Sequence, residues 1–183
     1  MIKKSKRILI FGISLFTFTA GMVSSVVAQP YGQGVYDANV PYGNETSLSI
    51  ATNGNVTIPV TPTSAGVAAN GTSIVTVTST DVRGYELYVR AIGSTNLTNF
   101  SSTLPASANG VPASLAMNTW GYNTDGSANF VGILLSDTLI RSTIGPVSTG
   151  QNTSVTYGIR IDLSKAAGNY TTTVMYTAVP KTN

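Results

Sequence analysis

Alternation between apolar and polar positions dominates the second half of the chain. From Ser154 to Leu163, Val155, Tyr157, Ile159, Ile161 and Leu163 fall on one face and Ser154, Thr156, Gly158, Arg160 and Asp162 on the other. A strict period of two predicts a strand with one face on a core and one in water. Tyr85 to Ile92 behaves alike, with Tyr85, Leu87, Val89 and Ala91 opposite Glu86, Tyr88 and Arg90. Tyr170 to Val179 is a third such run. Fainter strands are predicted at Ser47–Ala51, Val56–Thr61, Ser73–Ser79, Phe130–Leu135 and Thr138–Ile144. Asn53-Gly54, Asn70-Gly71, Asn109-Gly110 and Asp125-Gly126 read as tight turns between them. Pro59 and Pro62 lack an N–H, which places the Val56 strand at a sheet edge. Short alternating runs broken by turns predict an all-β fold, an antiparallel two-sheet sandwich of the Ig-like or Greek-key kind.

The N-terminus obeys a different pattern. Lys3, Lys4, Lys6 and Arg7 precede an apolar run from Ile8 to Val27, and Val26-Val27-Ala28 supplies small residues before Gln29. This is the layout of a secretion signal; left uncleaved, the run approaches the ~20 residues that a membrane span needs. Residues 1–28 are therefore expected to be a signal peptide or anchor that exports the rest. The stretch from Gln29 to Glu45 is rich in Tyr, Gly, Pro and Asn without a sustained apolar period, and reads as an extended arm. Residues 46–180 form the sandwich and 181–183 a tail.

Charge changes the picture once the leader is set apart. Four of the ten cations lie in it, which leaves six against seven acids in the body, a formal net charge of −1. A body without a basic face is not expected to bind nucleic acid, whose phosphates demand clustered cations. There is neither cysteine nor histidine. Disulfides, the usual zinc sites and nucleophile–histidine pairs are excluded by composition, and no cofactor is expected. Contact with a membrane is expected only through an uncleaved leader.

Gly84-Tyr85-Glu86-Leu87, Asn118-Thr119-Trp120-Gly121-Tyr122, Val155-Thr156-Tyr157-Gly158 and Ala167-Gly168-Asn169-Tyr170, closing with Val174-Met175-Tyr176-Thr177-Ala178, carry a resemblance over roughly Ser47 to Pro180. In these segments the chain resembles exported β-sandwich proteins of Saccharibacteria-type bacteria. It is similar, more distantly, to the WxL-type cell-surface domain. The resemblance implies a surface location and a sandwich fold. The sequence departs from the WxL pattern where tryptophans matter: Trp120 is followed by Gly121-Tyr122, and Met175-Tyr176-Thr177 stands at the second motif. The wall attachment associated with those tryptophans does not carry over.

Candidate chemistry is sparse. Tyr88, Trp120 and Tyr122 could form an aromatic platform for a sugar ring, with Trp120 as a core residue the competing reading. Gly168 two residues before Tyr170 resembles a tyrosine corner, and Tyr85 and Tyr157 are inward-facing structural tyrosines. Asp125 to Asn129 spaces oxygen ligands as a calcium loop does, but lacks the late carboxylate. Two of the seven acids could in principle flank a sugar as acid and base, although Glu86–Arg90 and Arg160–Asp162 read better as exposed ion pairs. A non-catalytic secreted or cell-surface module in envelope structure or adhesion is expected, with an envelope glycan or protein as partner. The alternatives are a carbohydrate-binding module and a pilus-like subunit whose arm completes a neighbour's sheet.

Overall fold

A computed structural model describes residues 9–15, 47–80, 82–100 and 102–181, the first of these segments as backbone only. The expected cleavage site, the arm from Gln29 to Glu45, and the acids Asp37, Glu45 and Asp81 lie outside the described residues. Among those described, all regular structure is β: β1 (Leu9–Leu15), β2 (Ser47–Thr52), β3 (Val56–Val60), β4 (Val67–Thr80), β5 (Tyr85–Ile92), β6 (Leu97–Asn99), β7 (Ser102–Leu104), β8 (Thr119–Asn123), β9 (Thr138–Ser142), β10 (Val147–Ile161) and β11 (Thr173–Pro180).

They form two layers. One sheet runs β2-β4-β10-β8 and the other β3-β1-β11-β5-β9, with β6 and β7 as a separate hairpin. Apart from β1 against β11, every ladder is antiparallel. The core lies between the layers: Val75, Val77, Val155, Tyr157 and Ile159 from the first meet Leu87, Val89, Val174 and Tyr176 from the second. The hydroxyls of Tyr157 and Tyr176 hydrogen-bond across the interface. The expected sandwich is thus the fold, assembled from the alternating faces read in the sequence.

Several boundaries differ from expectation, each for a physical reason. Asn70-Gly71 is no turn. Both residues sit inside β4, opposite Gly158 and Tyr157. Gly71 is small because β3 passes over it: a Cβ there would lie 2.8 Å from Val56 Cγ1 and 3.1 Å from Ile58 Cγ1. The strand at Phe130–Leu135 does not form. Phe130 bonds to Ala113, Val131 to Tyr122 and Gly132 to Asn109, so successive residues find three different partners and no ladder propagates. The Phe130 ring instead covers Gly158, where a Cβ would fall 2.4 Å from its Cζ. β10 begins at Val147, seven residues before the predicted start, through a bulge in its pairing with β4 between Val147 and Gln151. β8 escaped prediction because its residues Trp120 to Asn123 are all buried, which erases the alternation. β3 is an edge strand, as Pro59 requires.

Candidate functional site

The three aromatic candidates are not brought together as a platform. Trp120 lies on β8 with 1% of its surface exposed; its ring packs 6.3 Å from that of Tyr157, and its indole N–H donates to the Thr95 carbonyl at 2.9 Å. It belongs to the core. Tyr122, two residues along the same strand, is 3% exposed. Burial pushes its phenol above the ordinary value, with Thr138 acting in the opposite sense. Tyr88 is on the other sheet, where its hydroxyl donates to Glu86 Oε2, which raises its pKa. A sugar ring meets no shared face of Tyr88, Trp120 and Tyr122 in this arrangement.

The structural tyrosines have defined partners. Tyr170 is fully buried and its hydroxyl donates to the Ala166 carbonyl at 3.0 Å. That is a return to the backbone four residues upstream, in the manner of a tyrosine corner. Gly168 adopts φ +144° at this bend, and a Cβ there would lie 2.3 Å from Asn99 Nδ2. Tyr85 is equally buried and reaches Gln151 Oε1 at 2.9 Å. Desolvation raises its pKa, moderated by Arg141. Tyr157 is raised well above the usual phenol range, chiefly by burial and then by Tyr176.

The acids are dispersed over different elements. Glu86 faces Lys181 at 3.9 Å rather than Arg90, and Arg90 pairs with Asp137 at 3.4 Å. Asp162 accepts from the Ser164 N–H and hydroxyl and from Asn118, contacts that hold its carboxyl below the usual value. Arg160 turns instead to the Leu115 carbonyl. Asp125 accepts from the Ser127 N–H at 3.0 Å, an Asx turn that lowers its pKa.

Two features were not anticipated. A groove of about 450 Å³ opens beside β8 and β9, lined by Asn109, Tyr122, Asn123, Leu134 and Leu139 among others. Its amides are already engaged: Asn109 Nδ2 donates to the Ala113, Ser114 and Phe130 carbonyls, and Asn123 Nδ2 to those of Ser127 and Asn129. They staple the flanking loops. The second is the outer surface of the β2-β4-β10 sheet, where neutral hydroxyls and amides share the face with the exposed Ile74 and, further along β10, Arg160. Ser47 bonds Thr80 at 2.8 Å, Thr72 bonds Thr156 at 3.0 Å, and Thr76 donates to Asn152 at 2.7 Å. The outward half of the strand alternation gave these positions, but only the ladder register shows which hydroxyls meet.

No family model, curated protein or solved structure matches this chain.

Proposed function

We propose that the protein is an exported, non-catalytic β-sandwich module that serves envelope structure or adhesion. The observation that carries this reading is the patch of hydroxyls and amides on the outer face of the β2-β4-β10 sheet, a face that also carries the exposed Ile74 and, further along β10, Arg160. There Thr72, Thr76, Thr80, Asn152, Ser154 and Thr156 project from adjacent strands in fixed register. An array of hydroxyls and amides, already ordered by its own cross-strand bonds, offers many weak directional contacts to a glycan or protein surface. Such contacts are individually modest; their sum over a preordered face is what an adhesive surface uses. The basic, apolar leader supports export, and the neutral body suits a role outside the cytoplasm. Burial of Trp120 and Tyr122 weighs against the aromatic carbohydrate-binding reading.

The test is expression of the full chain with its own leader, followed by fractionation and binding to isolated envelope. The product is expected outside the cytoplasm and bound to envelope material. A Thr76→Lys/Thr156→Lys variant, which puts two like charges on that face, is expected to be exported and folded yet released. Retention of the wild-type chain in the cytoplasm, or binding indifferent to the two lysines, would overturn the proposal.

A further inference from the structure

The β2–β4 ladder ends in an exchange of acceptors. Thr52 closes β2 and lies opposite Val75. The next pair in that register is Asn53 with Ile74, where an antiparallel ladder exchanges two main-chain bonds. One of them forms: the Asn53 N–H donates to the Ile74 carbonyl at 3.2 Å. The return bond goes elsewhere. The Ile74 N–H donates at 2.9 Å to Asn53 Oδ1, and the buried Ser73 hydroxyl donates to the same oxygen at 3.2 Å. The side-chain carbonyl stands in for the main-chain one, and the freed main chain turns through Gly54, at φ +101°, toward β3.

We propose that Asn53-Gly54 is a self-modification site, where the Gly54 nitrogen attacks Asn53 Cγ and the asparagine becomes isoaspartate. In the first step the N–Cγ bond forms and the Cγ–Nδ2 bond breaks. The amide proton of Gly54 leaves with Nδ2 as ammonia. In the second step water opens the cyclic imide. Attack at the main-chain carbonyl carbon gives isoaspartate, with the chain running on through Cβ and Cγ; attack at Cγ gives aspartate. Negative charge gathers on Oδ1 while Cγ is tetrahedral, and two donors already point at that atom, as in an oxyanion hole. The product fits the fold as well. In isoaspartate the Cγ carbonyl is the main-chain carbonyl, so the bond from Ile74 that closes the ladder is kept.

The chain's other Asn-Gly and Asp-Gly pairs each lack a part of this arrangement. Asn109 Nδ2 donates to the Ala113, Ser114 and Phe130 carbonyls, so its leaving group is held by three bonds. Asn70 and Gly71 lie inside β4, paired with Gly158 and Tyr157, and Gly71 is covered by Val56 and Ile58. The main chain there is fixed in an extended ladder. At Asp125-Gly126 the glycine N–H donates to Asn123 Oδ1 at 3.2 Å, and a carboxylate is a poorer electrophile than an amide. Asn53 is exposed, and its Nδ2 has no hydrogen-bond partner among the described residues. Nothing lies within 4 Å of a Cβ built at Gly54, so the turn has room to close the ring. In the sequence Asn53, Asn70 and Asn109 are equivalent. The structure separates them.

The test compares residues within one molecule. The purified full chain is aged in mildly alkaline buffer made with heavy-oxygen water, and peptide mapping with electron-transfer fragmentation reads the mass gain and the branch at each asparagine. Asn53 is expected to convert, with isoaspartate exceeding aspartate, while Asn70 and Asn109 stay amides. In urea, where the fold is lost, the three Asn-Gly pairs are expected to convert at similar rates. Ser73→Ala removes one of the two donors and is expected to slow Asn53 about tenfold or more in the folded chain, with the rate in urea unchanged. The wild-type comparison stands whether or not that variant folds. A folded chain whose Asn53 stays an amide, or converts no faster than Asn109, overturns the proposal. So does conversion at Asn53 that a folded Ser73→Ala chain carries out at the wild-type rate.

Discussion

The two sheets are completed in different ways. In the β2-β4-β10-β8 sheet, β4 and β10 run together from Val147↔Ser79 to Ile161↔Val67, flanked by β2 and β8 in unbroken register. Every strand of it lies between Ser47 and Ile161. In the other sheet, the β11–β5 ladder is equally regular, but β3 joins it only through β1, which meets β11 at two residues. One layer is built wholly from strands after Thr46; the other includes β1, which comes from the N-terminal end of the chain. The first layer is thereby the continuous support, and the second has its weakest junction where β1 meets β11.

The largest way to break this division is through the support. Trp120 on β8 fills the layer between the sheets, so Trp120→Ala removes the most voluminous of the fully buried side chains and leaves the Thr95 carbonyl without its indole donor. A loss of about 3–5 kcal/mol is expected, as for other large-to-alanine changes in packed cores. Urea unfolding of the exported protein measures it, and a change under 1 kcal/mol would show that β8 is peripheral. Next in size is a pH effect where the layers touch. Burial pushes Tyr176 on β11 up to about 12, and Tyr157 on β10 is also raised well above the usual phenol range by burial. A phenol with a raised folded-state pKa favours the neutral form in the native state. The pair's contribution is therefore full below the ordinary phenol value of 10.0 and declines as pH climbs from there through about 12. Unfolding midpoints should hold steady up to pH 10 and fall beyond it, with Tyr157 and Tyr176 ionising only as the sandwich opens. Reversible ionisation of all tyrosines near 10 with the fold intact would contradict it.

How much of this was legible in the sequence depended on whether a segment has one wet face. Tyr85–Ile92 matches β5 residue for residue because its outer face stays half-exposed. Trp120–Asn123 was missed because Phe130 and Val131 cover its outer side: a Cβ at Gly121 would fall 2.4 Å from the Val131 carbonyl oxygen. Gly71 was misread because a glycine required by a crossing strand looks, in one dimension, like a glycine required by a turn. The site was less legible than the fold. Alternation showed which hydroxyls point outward, but not that Thr72 meets Thr156 or Thr76 meets Asn152, because the partners are 84 and 76 residues apart. The leader was read from its charge and apolar length, and neither property carries information about a place in a sheet.

The smallest expected effect lies at the rim, and it separates surface order from stability. Arg90 on β5 and Asp137 just before β9 pair at 3.4 Å, with side chains 38% and 52% exposed. Water and salt screen such a pair, and fixing two mobile side chains offsets much of its attraction. Asp137→Ala is expected to change stability by less than about 1 kcal/mol. Parallel urea melts of the two proteins would check it. A substantial loss of stability would mean that the β5–β9 edge is held by charge rather than by its ladder.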